Sequence, residues 1–152
     1  MAIDMKQASR RLIEEAYGKG RLGVFEELCA KDYRAHDPFL GDSDLEQEQE
    51  NCRMYRAAFP DLKPTVLASY ADGESVVTHW KMAGTHTGPL KTIQPTGARC
   101  VVEGISISRF RAGKIAETWV QWDALGLVRQ LGVAPSLPAA LGARPVETQI
   151  HS

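Results

Sequence analysis

The chain has 152 residues, enough for one domain whose core needs neither disulfides nor a structural metal. Its 43% apolar and 24% charged residues form an ordinary globular balance and exclude a chain that is disordered throughout. The 18 Lys and Arg against 19 Asp and Glu leave a net charge of −1 with no basic cluster, which argues against nucleic acid or an anionic membrane surface as a partner.

In chain order, Asp4 with Gln7 makes a helix start, and Met5, Ala8, Leu12, Ile13, Ala16 and Tyr17 recur at helical spacing until Gly18 and Gly20. Leu22, Phe25, Leu28 and Cys29 predict a second, shorter helix. The segment from Asp32 to Pro38 reads as an extended or looping connection, because Pro38 disfavours helix before it. Ser43 and Glu46 fit a capping box for a third helix, with Leu45, Cys52, Tyr55 and Phe59 on one stripe and a stop at Pro60.

From Leu62 the period changes to two. Leu62, Pro64, Val66, Ala68 and Tyr70 alternate with mostly polar neighbours, Asp72-Gly73 turns the chain, and a long strand returns from Glu74 to about His86. A Gly/Pro/Thr-rich loop follows from Gly84 to Gly97. Arg99 to Arg111 and Lys114 to Trp122 then read as a hairpin about Ala112-Gly113. A short helix, Ala124 to Gln130, closes at Gly132. The domain is expected to span residues 1–133, leaving 134–152, with Pro135, Pro138 and Pro145, as an extended or partly disordered tail.

The three cysteines, Cys29, Cys52 and Cys100, lie apart in apolar stretches and read as reduced core thiols. No apolar run follows the N-terminal charges and no segment approaches the ~20 apolar residues of a membrane span, so a cytoplasmic location is the expectation. Helices first and long antiparallel strands second give an α+β domain: three N-terminal helices against one face of a strongly curved antiparallel sheet, with a short C-terminal helix. Such a sheet folded over helices makes a cone whose open end admits a ligand.

The stretch VVTHWKMAGTHTGPL (76–90), the Pro95-Thr96-Gly97 turn and RFRAGKIAETWVQWDALGLVRQLG (109–132) together resemble the SnoaL-like polyketide cyclase family. That family is part of the broader group with the nuclear-transport-factor-2 and ketosteroid-isomerase fold, the same cone. The resemblance implies a small-molecule enzyme that closes a ring by intramolecular aldol chemistry, with one acidic residue as general acid/base. Asp123 is the residue that resembles it. The same fold also hosts isomerases, epoxide hydrolases and non-catalytic binding or dimerisation modules, which stand as the alternatives.

Asp123 has two readings. As the residue before a helix it caps backbone N–H groups, a contribution of about 0.5–2 kcal/mol. As a pocket carboxylate between Trp119 and Trp122 it is desolvated and carries a proton in the reaction. Glu103 is a second carboxylate of interest, since the hairpin brings it near Asp123; facing outward it is a plain surface residue. His36 runs beside the expected pocket and either orients a carbonyl or holds its loop. His79 takes the opposite face from Trp80, and that face is either solvent or cavity. Glu117 and Arg109 form a cross-strand ion pair, His86 holds its loop, and His151 is in the tail.

Tyr33, Met54, Phe59, Trp80 and Trp119 are the expected pocket lining. No HxH, HExxH or GxGxxG pattern occurs, so neither a metal nor a cofactor is expected. The expected ligand is a small apolar carbonyl compound, and the fold leads to the expectation of a homodimer.

Overall fold

A computed structural model describes residues 4–133. The first helix, α1 (Met5–Arg11), starts where Asp4 Oδ1 accepts the Gln7 N–H at 3.0 Å, and it continues as a π-helical stretch over Leu12–Tyr17. α2 (Gly23–Leu28) follows. Of the two readings of the segment before Pro38, extended or looping, the extended one holds: it is the second half of a strand, β1 (Cys29–Asp37), with β2 (Gly41–Asp44) turning back on it. Pro38 stops the strand rather than opening a loop earlier.

α3 (Leu45–Ala58) is capped by Asp44, whose Oδ1 accepts the Gln47 N–H at 2.9 Å. The Ser43–Glu46 capping box does not form, because the Ser43 hydroxyl donates to Glu48 at 2.7 Å instead. β3 (Lys63–Asp72), β4 (Ser75–Thr85), β5 (Arg99–Arg111) and β6 (Lys114–Trp122) form the long-stranded half, and α4 (Ala124–Gln130) closes the chain.

The six strands lie in one unclosed sheet in the order β2-β1-β6-β5-β4-β3. All neighbours are antiparallel except β1 and β6, which run parallel. Register shifts between Cys29 and Arg34, Val66 and Ala68, and Arg109 and Phe110 add local twist, which lets the sheet curl over its helices. The β5–β6 turn takes the left-handed region at both central residues, Ala112 (φ 50°) and Gly113 (φ 80°), as the twist of a two-residue hairpin demands.

Two apolar clusters hold the layers together. One joins α1, the π-helical stretch and α2 to β1, β5 and β6 through Leu12, Ala16, Phe25, Tyr33, Phe110 and Ile115. The other joins the end of α3 to the β4–β5 loop and α4 through Ala58, Phe59, Leu90, Cys100, Leu127 and Leu131. The three cysteines are buried and free. Burial pushes the Cys29 and Cys52 thiols up to about 12, so they pack as inert apolar groups. Among the described residues no helix is long and apolar enough to cross a membrane.

Candidate functional site

Strand alternation decides which side chains look inward. On β4, Thr78, Trp80 and Met82 face the helices; on β5 it is Cys100, Val102, Ser106 and Ser108; on β6, Thr118, Val120 and Trp122; on β1, Tyr33, Ala35 and Asp37. With Ser9, Leu12, Ile13 and Tyr17 from the first helical segment, Glu48 and Tyr55 from α3 and Phe59 at its C-cap, these side chains line a half-open cavity of about 140 Å³. That is close to the volume that accepts a single benzene ring in an apolar core. Gly104 makes room for its largest wall element: a Cβ there would stand 2.4 Å from the Trp80 ring and 2.7 Å from Trp122 Cβ. The Trp80 indole N–H is spent on Ser106 Oγ at 2.9 Å, so the ring is fixed.

Two carboxylates reach this cavity. Asp37, at the end of β1, accepts the Phe39 and Leu40 N–H groups on Oδ1 at 2.7 and 2.9 Å, and the Trp122 indole N–H on Oδ2 at 3.1 Å. Glu48 accepts the Tyr17 hydroxyl at 3.1 Å and the Ser43 hydroxyl at 2.7 Å. Beside Asp37, Tyr55 packs edge-on against Trp122, with ring centroids 6.2 Å apart, and its hydroxyl is buried with no hydrogen-bond partner. Burial, with the charges of Asp37 and Glu48 adding, pushes the Tyr55 phenol well above its ordinary range, so it stays a donor. Ser9 Oγ is likewise buried and unpartnered.

Of the residues singled out from sequence, Tyr33, Phe59 and Trp80 line the cavity. Met54 is partly buried against the cluster at the end of α3 and does not reach it. Trp119 lies on the outer face of the sheet, 40% exposed and stacked on His36, because β6 turns Thr118, Val120 and Trp122 inward. Glu103 and His79 also lie outside, joined at 2.9 Å, since β5 and β4 give the inner face to Gly104 and Trp80. Asp123 is exposed at the N-cap of α4, where Oδ1 accepts the Gly126 N–H at 2.8 Å, and its carboxylate is not part of the cavity wall. His86 is fully buried and holds the loop: its Nδ1 accepts the Thr96 N–H at 3.1 Å. His151 lies outside the described residues. Among the described residues no three His, Cys, Asp or Glu side chains gather as a metal requires.

His36 sits between two carboxylates on the outer face, Nδ1 at 2.9 Å from Asp42 and Nε2 at 2.7 Å from Glu117, which also pairs with Arg109 at 3.0 Å. Carboxylates only accept, so both ring nitrogens donate and the imidazolium is favoured. Glu117 and then Asp42 raise the His36 pKa, while His36 and Arg109 hold the Glu117 carboxyl below its usual range. A raised histidine contributes stability that is complete below its unfolded value of ~6.5 and lost as pH climbs through the folded one. The depressed Glu117 contributes above its unfolded value of ~4.3 and loses that as pH falls through its folded one. The triad therefore stabilises most between about pH 4.3 and 6.5. Melting curves of wild type and His36→Gln should converge as pH rises from 6 to 9. A constant gap over that range would disprove the titration.

A half-open, largely apolar cavity beneath a curved sheet, with a few convergent polar groups, is the form that small-molecule sites take in cone-shaped α+β domains. Residues 7–131 match the SnoaL-like polyketide cyclase family, and the chain belongs to that family. IdmH from Streptomyces antibioticus, a candidate polyketide cyclase, is 30% identical over 84% of this chain and 99% of its own, with a TM-score of 0.71. A candidate SnoaL-like polyketide cyclase from Jannaschia sp. CCS1 is similar in fold at 21% identity, covering 86% of this chain and 92% of its own, TM-score 0.77. A protein of ketosteroid-isomerase-like fold from Catenulispora acidiphila, crystallised with trimethylamine, shares 16% identity, covering 88% of this chain and 96% of its own, TM-score 0.70. At that identity the likeness speaks to fold alone. No curated protein matches the chain in sequence.

Proposed function

We propose that the protein is an acid–base enzyme for a small apolar carbonyl compound, working without a cofactor on an enolisable position in the manner of ring-closing cyclases. The observation that carries this reading is the grouping of Asp37, Tyr55 and Trp122 on the cavity wall. Asp37 takes the proton next to the carbonyl. Tyr55, a buried phenol with an unused O–H, donates to the oxygen as negative charge develops there. Trp122 fixes the carboxylate from the side. The enolate carbon then attacks a second carbonyl of the same molecule, and the protonated Asp37 delivers its proton to the alkoxide that this bond formation leaves.

The role that sequence reading assigned to Asp123 passes in this proposal to Asp37, because a base must reach the substrate and the Asp123 carboxylate faces the end of α4 and solvent. The test needs no knowledge of the natural substrate. Aryl methyl ketones are incubated with the protein in deuterium oxide, and loss of the methyl proton signal is followed by NMR. Exchange faster than buffer alone supports the proposal. Exchange equal to buffer across a ketone series would leave the non-catalytic ligand-binding module as the better reading.

We further propose a homodimer through the outer sheet face. Val77, Ile107 and Trp119 form one cross-strand row there, and Ile105 lies in the next row beside His79. Ile105, Ile107 and Trp119 are 40–48% exposed, an apolar surface of the kind that pairs. Sedimentation velocity should report twice the chain mass for wild type and a shift to monomer for Ile105→Lys. A monomeric wild type at tens of micromolar would refute it.

A further inference from the structure

The charge balance of the cavity departs from that of the whole chain. Asp37 and Glu48 both reach it, and no Lys, Arg or His is among the residues that line it. Neither carboxylate takes part in any ion pair among the described residues. Their hydrogen bonds come from neutral donors: two backbone N–H groups and the Trp122 indole for Asp37, and the Tyr17 and Ser43 hydroxyls with the Asn51 amide (3.4 Å) for Glu48. Such donors fix a carboxylate in place and leave its charge uncompensated.

The walls between are aromatic, with Tyr17, Phe25, Tyr33, Tyr55, Trp80 and Trp122 all turned inward. Ring faces attract cations and offer nothing to anions. A second feature points to a ligand with a polar group: Ser9 Oγ, on a side chain only 4% exposed, lines the same cavity and has no partner. Its hydroxyl can bond such a group without displacing any bond of the fold.

We propose that the cavity selects an apolar compound carrying a protonated amine and rejects anions, with Glu48 as the residue that receives the ammonium. The inference rests on the reading of this cavity as the substrate site and narrows the substrate class to amine-bearing carbonyl compounds. Glu48 and Tyr55 project from α3 two helical turns apart, so the ammonium and the reacting carbonyl meet different parts of the cavity wall.

Three probes of one ring size separate the possibilities: benzylamine, benzyl alcohol and benzoate, with binding read from the fluorescence of the cavity tryptophans at pH 7. Benzylamine should bind at least tenfold more tightly than benzyl alcohol, and benzoate more weakly than either. Glu48→Gln, checked for folding by circular dichroism, should bring the amine down to the alcohol while leaving alcohol binding within twofold. Should the Glu48 variant not fold, wild type decides alone: an amine no tighter than the alcohol, a benzoate that competes, or no binding by any of the three overturns the proposal. The readout is equilibrium binding. Ketone exchange that depends on Asp37 alongside an absent amine preference would therefore sink this inference and leave the enzymatic reading standing. An amine preference without any exchange would do the reverse.

Discussion

Asp37→Asn should lower enzyme-accelerated ketone exchange by about 10²–10⁴-fold, the span that a positioned general base contributes. The substitution keeps the shape: the amide oxygen can still accept from Phe39 and Leu40, whose N–H groups now meet Oδ1 at 2.7 and 2.9 Å, while the amide NH2 takes the place of Oδ2 and meets the Trp122 indole N–H, now at 3.1 Å, donor to donor. The fold should hold with a stability loss of about 1–3 kcal/mol from the orphaned indole N–H, while the proton acceptor is lost. Tyr55→Phe should give a smaller loss, since it removes one donor to the developing oxyanion and leaves the base. Asp123→Asn should stay within a few-fold of wild type in rate. The opposite pattern, a silent Asp37→Asn with a dead Asp123→Asn, would return the acid/base role to the end of β6 and require the carboxylate to leave its cap at Gly126 during the reaction.

Gly104→Val should cost about 1–3 kcal/mol, against the local preference of the strand. Gly104 is in the middle of β5, paired with Trp80 on one side and Trp122 on the other. Strand propensity alone favours valine over glycine there, so a surface-like site would gain stability from the change. The geometry requires the reverse, because even the first carbon of a side chain collides with the Trp80 ring at 2.4 Å. Urea unfolding should show a lower midpoint with unchanged slope, and tryptophan emission should shift as the ring is driven into the cavity. A midpoint at or above wild type would mean that Trp80 is not held against this strand.

The alternation of β4 through β6 and the turn at Ala112-Gly113 are plain in the sequence, because half-buried strands carry their faces in a period of two. β1 was harder to see. Lys31, Asp32 and Arg34 make it look like a loop, yet Tyr33, Ala35 and Asp37 share one parity and all three line the cavity. Asp37 was therefore passed over although its parity with a buried tyrosine was visible. Glu48 left a comparable trace: it falls on the stripe Leu45, Cys52, Tyr55, Phe59 at heptad spacing, a charge where an apolar residue was due. Trp119 misled in the other direction, since size suggests burial and only strand register shows that its ring stacks on His36 outside. The carboxylate of Asp123 stood in the right neighbourhood of the chain, but its direction depends on the first turn of α4, which sequence spacing does not determine.

The unclosed sheet divides labour between backbone and side chains. Its ladders link all six strands from β2 to β3, with three local register shifts, and ask little of the inward-facing residues beyond approximate volume. The cavity, by contrast, is assembled from single positions on strands and helices distant in the chain, so one replacement reshapes the interior without touching a ladder. The fold tolerates such change: chains sharing only 21% and 16% of their residues with this one keep it at TM-scores of 0.77 and 0.70.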